Sequence, residues 1–203
     1  MSSAGSSVAV GLCAVLLAGC ASTRFSASGE TPGAPLCQQR GERVSALVLW
    51  GTSWRADQKD VPLREAAAQR GLEAFFDSSG CFSSVEIRRL PGGGSATLPA
   101  LPERLALAAA SEPKANRVLV VTVRELGPVV KLLASAALVE GGTEVVFDID
   151  AIGAPSGASL AKFRMHWEDG GAWVIKNTSS LAQDMGAALR AALSPAAAPR
   201  PPP

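Results

Sequence analysis

The side chains able to do chemistry are few and widely spaced. His166 is the only histidine, and cysteines stand at positions 13, 20, 37 and 81. A transition-metal centre needs three or four His, Cys, Asp or Glu ligands in convergent positions. One histidine and scattered cysteines do not supply that pattern, so no metal and no cofactor is expected. His166 sits beside Trp167 in a strand-like run. It reads as a sheet residue, not a general base. No Gly-x-Ser-x-Gly turn exists to present a nucleophile to it. Gly92-Gly-Gly-Ser95 follows a strand, as phosphate loops do, but lacks the Lys-Ser/Thr of such a loop. Glu144, Asp148 and Asp150 fall at strand spacing and read as a solvated acidic face in preference to a calcium site. With no catalytic constellation, the chain is expected not to be an enzyme.

The aromatics are the remaining handle. Trp50 and Trp54 flank a loop just past a strand, where open α/β sheets tend to bind ligands. Trp167 and Trp173 bracket Glu168-Asp-Gly-Gly. Exposed, these four would be anchors for a partner; buried, they would close the ends of the core.

Near the start, an apolar run from Val8 to Ala18 ends in Leu17-Ala-Gly-Cys20 and gives way to polar Ser/Thr-rich sequence. The run is about a dozen residues, short of the roughly 20 a spanning helix needs. Its length and small-residue end suit a secretory segment. Leu17-Ala-Gly-Cys20 resembles the lipobox of bacterial lipoproteins. The resemblance implies cleavage before Cys20, a lipid on Cys20 and, with Ala21 in place of Asp, the outer membrane with the domain in the periplasm. Residues 1–19 are then a signal peptide. Cys13 leaves with it and Cys20 is lipidated. Cys37 and Cys81 remain as an even pair in an oxidising compartment. A disulfide is expected between them, in preference to two separate buried thiols. Residues 20–42 are the lipidated Cys and a small, polar, Pro/Gly-bearing stretch that reads as a flexible tether. Residues 195–203 are a Pro-rich tail expected to be disordered.

Between these ends, residues 43–194 suit a single domain. Net charge is +1 with scattered arginines, so no nucleic acid is expected as a partner. A hydrophobic content of 47% suffices for a core. Arg43–Trp50 is a buried strand. A helix follows from an Asp60 N-cap to about Asp77, with Ala68, Leu72, Phe75 and Phe76 on one stripe. Cys81–Leu90 alternates and reads as a strand near an edge. A second helix covers about Pro102–Ser111, with Leu101, Leu105 and Ala108/Ala109 inward. Arg117–Leu126 is the most apolar strand and a central one, interrupted by Gly127-Pro128. Val129–Val139 suits either helix or strand. A hairpin signal at Glu140-Gly-Gly-Thr143 favours strand–hairpin–strand. Thr143–Ile152 and Ala158–Trp167 are strands, and Glu168-Asp-Gly-Gly171 reads as a turn. Ser180-x-x-Gln183 has the form of a capping box before a final helix.

The fold expected is α+β: a mixed sheet of about five or six strands with three helices, in the order β-α-β-α-β-(β)-β-β-α. If the first two strands are parallel neighbours, Cys37 and Cys81 lie at the same sheet end. This order behind a lipobox resembles a superfamily of envelope proteins over about residues 43–193. Its members include the curli-secretion lipoprotein, the lipoprotein activators of penicillin-binding proteins and the amino-terminal domain of TolB. The curli-secretion member forms a pore through added hairpins, and no pair of long amphipathic strands is read here. The resemblance implies a lipid-anchored, non-enzymatic binding or assembly module with an envelope protein partner. Oligomeric state stays open. An auxiliary lipoprotein of an export or lipid-transport complex is the alternative, and a hydrolase of envelope polymers a more distant one.

Overall fold

The structure, a computed structural model, describes residues 22–91, 98–132, 139–172 and 174–193. Residues 1–21, which hold the expected signal peptide and Cys20, together with Trp173 and the Pro-rich tail, lie outside the described residues.

A six-stranded mixed sheet organises the molecule. In chain order its strands are β1 (Ser22–Glu30), β4 (Ser45–Thr52), β5 (Ser84–Arg89), β6 (Arg117–Leu132), β7 (Val139–Gly153) and β8 (Ser159–Ala172). A two-residue ribbon, β2 (Gln38–Gln39) with β3 (Glu42–Arg43), stands apart. The sheet order is β1-β8-β7-β6-β4-β5. β4 is parallel to both neighbours, and the remaining pairs are antiparallel. Three helices complete the fold: α1 (Val61–Ser78), α2 (Leu101–Ala109) and α3 (Leu181–Leu193), the last preceded by a 3-10 turn at Thr178–Ser180. This is the α+β class expected, with β6 central and β5 at an edge. No described helix is long and apolar enough to cross a membrane.

Alternation explains the layers. Ala46, Val48 and Trp50 of β4, Leu119, Val121 and Val123 of β6, Val145, Phe147 and Ile149 of β7, and Phe163, Met165 and Trp167 of β8 point to one face. There they meet Leu72, Phe75 and Phe76 of α1 and Leu181, Met185 and Leu189 of α3. Leu47, Leu49, Val118 and Val120 point the other way, toward Ala108 and Leu105 of α2. β4 is therefore buried on both faces, as its unbroken apolar run requires. α1 and α3 approach closely at Gly71. A Cβ there would fall 2.6 Å from the carbonyl oxygen of Ala182 and 2.6 Å from Met185 Cβ.

Cys37 and Cys81 form a disulfide with Cα atoms 5.4 Å apart. The bridge lies at the N-terminal ends of β4 and β5. There the Val44 amide donates to the Cys37 carbonyl (3.0 Å) and the Ser83 amide to the Val44 carbonyl (3.0 Å).

Several expectations are corrected. Residues 22–30 are not tether but β1, paired residue for residue with β8 from Ser22↔Gly170 to Glu30↔Lys162. All nine of its residues are exposed, so backbone ladder bonds hold it, not apolar burial. Gly127-Pro128 does not interrupt β6, where Pro128 pairs with Thr143. β4 accompanies β6 only as far as Thr52↔Val123. Pro128 thus sits where β6 has one strand neighbour, a place that tolerates a missing N–H. Glu140-Gly-Gly-Thr143 lies inside β7 and Glu168-Asp-Gly-Gly171 inside β8, in register as Gly141↔Gly171 and Gly142↔Gly170. The two diglycines read as turns separately and as a side-chain-free rung together. A Cβ at Gly142 would fall 2.5 Å from the Asp169 carbonyl oxygen, so the backbones meet there. Residues 133–138, between β6 and β7, lie outside the described residues. β6 and β7, of 16 and 15 residues, are thus longer than the strands expected over Arg117–Leu126 and Thr143–Ile152.

The helix ends also differ. Asp60 takes the N-cap position of α1 with φ 56°, but its side chain makes no capping bond. In α2, Leu101 and Ala109 are exposed, leaving Ala108 as the buried residue. Ser180 donates to Asp184 Oδ2 (2.9 Å), and Asn177 accepts from the Ser179 amide in place of a capping box.

Candidate functional site

Among the described residues, the sheet face opposite α1 and α3 is only partly covered. α2 shields its β4 end. Beyond α2, β6, β7 and β8 present a polar ladder whose rungs follow from the two-residue period of the strands. The first rung is Arg104 Nη1 donating to Asp150 Oδ2 at 2.8 Å. In the second, Asp148 accepts from Arg124 Nε (2.5 Å) and Arg164 Nε (2.6 Å). Burial works to raise the Asp148 carboxyl. The hydrogen bonds and charges of Arg164 and Arg124 overcome it and hold the group below its ordinary value.

The third rung is different in kind. Glu144 of β7 stands directly opposite Glu168 of β8, and His166 lies two residues along β8 on the same face. His166 Nε2 is 2.8 Å from Glu144 Oε1 and 3.5 Å from Glu168 Oε1. The imidazole as a whole is half-exposed, but Nε2 is covered from solvent and aligned with neither oxygen for a hydrogen bond. One nitrogen and two carboxylate groups bring ligand atoms that all lie within 4.8 Å of one another. That donor set departs from the expectation of no metal ligands.

The tryptophans separate. Trp50 and Trp167 are 2% and 3% exposed and belong to the core against α1 and α3. They are not partner anchors, because alternation turns them inward with Val48 and Met165. Arg89 lies over the Trp50 ring at 5.2 Å and Lys176 over Trp167 at 5.8 Å. Trp54 is half-buried, and its indole N–H donates to Glu65 Oε1 (3.4 Å). Thr52 donates to the same oxygen (3.0 Å), and Arg89 pairs with Oε2. Burial tends to raise the Glu65 carboxyl, and the hydrogen bonds from Arg89 and Thr52 bring it below its usual value. Nearby, burial dominates for Glu125 and raises it, despite Arg55 at 3.2 Å and Arg64 at 3.6 Å.

Sequence reasoning missed Glu65, Arg89 and the pairing of His166 with Glu168. His166-x-Glu168 is a two-residue spacing that places both on one strand face. Reading Glu168 as turn hid that signal.

No protein-family model matches the chain, and no curated protein does. Among solved structures it is similar to the PelC dodecamer of Paraburkholderia phytofirmans, at 17% identity over 88% of this chain and 100% of that one, with a TM-score of 0.43. It is also similar to a lipoprotein of Neisseria meningitidis, GNA1162, at 14% identity over 72% of this chain and 96% of that one, TM-score 0.38. A third is the minor lipoprotein of Acinetobacter baumannii, at 14% identity over 75% and 84%, TM-score 0.25. Structures similar to this chain thus include bacterial lipoproteins.

Proposed function

We propose that this chain is a lipid-anchored, non-enzymatic module of the bacterial envelope, held at the outer membrane with its domain in the periplasm and binding another envelope protein. The observation that carries this reading is the apolar Val8–Ala18 run ending in Leu17-Ala-Gly-Cys20, with β1 beginning at Ser22. The Cys37–Cys81 bridge fits an oxidising compartment. On this reading the domain is held close to the membrane, since β1 begins at Ser22, two positions after Cys20 in the sequence. β1 starts at the sheet end where β4, β5, β6 and β8 finish, so an anchor on Cys20 would be nearest that end.

Metabolic labelling with palmitate tests the anchor. Label is expected on the wild-type chain and absent after Cys20→Ala, with the wild type co-fractionating with outer membrane. Equal labelling of the variant would refute the reading. Affinity capture from detergent-solubilised membranes is expected to return a specific envelope protein, and a bare bait would refute the binding role.

A further inference from the structure

We propose that Glu144, His166 and Glu168 form a binding site for a divalent transition cation, zinc being the natural probe. Three observations carry it. First, the donors converge. Two ligand atoms each about 2.0–2.1 Å from a tetrahedral zinc lie roughly 3.3 Å apart. The separations of His166 Nε2 from Glu144 Oε1 (2.8 Å) and Glu168 Oε1 (3.5 Å) straddle that spacing. Second, Nε2 is covered from solvent yet makes no aligned hydrogen bond, although two carboxylate oxygens are near it. A proton on Nε2 points along one line. A cation at the centre of the group takes the nitrogen lone pair and both carboxylates together. Third, Glu144 and Glu168 are direct cross-strand partners. Like charges in that relation repel, and a bound dication turns the repulsion into shared ligation. Arg24 of β1, opposite Glu168, is the cationic residue in register at that level.

The mixed set of one imidazole and two carboxylates suits zinc and its neighbours, whereas calcium and magnesium favour oxygen-only ligands. Three protein ligands leave a fourth position open to water or to a donor from a partner. The site is rigid by construction, since adjacent antiparallel strands supply all three side chains and both strands are buried on their other face. It is independent of the lipid on Cys20.

The test is calorimetric titration of the chelator-treated full chain, in detergent, with zinc chloride. One zinc per chain is expected, with the thermal midpoint rising as zinc is added. His166→Ala and the near-isosteric Glu144→Gln should each weaken binding more than about 100-fold, beyond the 10- to 100-fold typical of an outer-shell change. Both should abolish the zinc-dependent rise while retaining the cooperative melt of the metal-free wild type. Stoichiometric binding that both variants retain would place zinc elsewhere and overturn the proposal. So would failure to bind below millimolar zinc, with His166 instead found as an imidazolium between the carboxylates by NMR titration.

Discussion

Removing the Cys37–Cys81 bridge gives the sharpest test of how this domain is stabilised. The perturbation is the double change Cys37→Ala/Cys81→Ala, made with Cys13→Ser and Cys20→Ser so that no other thiol intervenes. The bridge closes a sequence separation of 44, which encloses β4 and the whole of α1. Releasing a loop of that length restores about 13 cal/mol/K to the unfolded chain, or about 4 kcal/mol at 25 °C. In a domain of this size 1 kcal/mol moves the thermal midpoint by about 2–4 °C, so the midpoint should fall by roughly 8–16 °C. Circular dichroism during heating measures it, and urea titration supplies a second readout. An unlinked denatured chain exposes more surface, so the urea m-value should rise. Chemical reduction of the bridged protein should reproduce both shifts. A fall below about 3 °C with an unchanged m-value would refute the reasoning, since it would mean that the unfolded chain gains no freedom when the bridge is cut.

Three further outcomes follow from the packing. Lys176 Nζ bridges Asp169 (2.5 Å) and Asp184 (2.9 Å), and Lys176→Met removes the cation between two carboxylates that keep only hydroxyl donors from Thr23 and Ser180; we expect a loss of about 3 kcal/mol by urea denaturation. Gly71→Ala puts a methyl group into the Ala182 and Met185 contact and should destabilise by about 1–3 kcal/mol, where an exposed helical Gly→Ala change would stabilise. The Asp148 carboxyl is held below its ordinary value, so its ion pairs stabilise the fold above the unfolded carboxylate range, near pH 4, and that contribution fades as pH falls through the lower folded value. The stability difference between wild type and Asp148→Asn should therefore be present at pH 7 and shrink below about pH 4.

Much of the fold was legible because burial leaves a period. Val145, Phe147 and Ile149 alternate against a face that carries Glu144, Asp148 and Asp150, and Leu72, Phe75 and Phe76 recur at helical spacing, so β7 and α1 announce their faces. β1 left no such trace. Its sequence, Ser-Thr-Arg-Phe-Ser-Ala-Ser-Gly-Glu, buries nothing, and only the free edge of β8 makes it a strand. Gly127-Pro128 and the two diglycines were misread for a related reason. Their composition describes a turn locally, but whether the chain turns there depends on what lies alongside. The candidate site was half visible. Glu144 and His166 stood out singly, yet their meeting with Glu168 is a property of the β7–β8 register, which neither strand encodes alone.

β1 also sets how the domain bears load. Under the proposed anchoring, tension between the lipid and anything bound to the domain enters the fold at Ser22 and runs along the strand axis. Antiparallel ladder bonds lie across that axis. The nine register pairs with β8 are therefore strained together in shear and are not opened one after another. Behind them the chain reaches Cys37, where the disulfide divides the remaining tension between the starts of β4 and β5. Under that anchoring, an exposed strand that adds nothing to the core is the fastening that keeps the domain joined to its lipidated end.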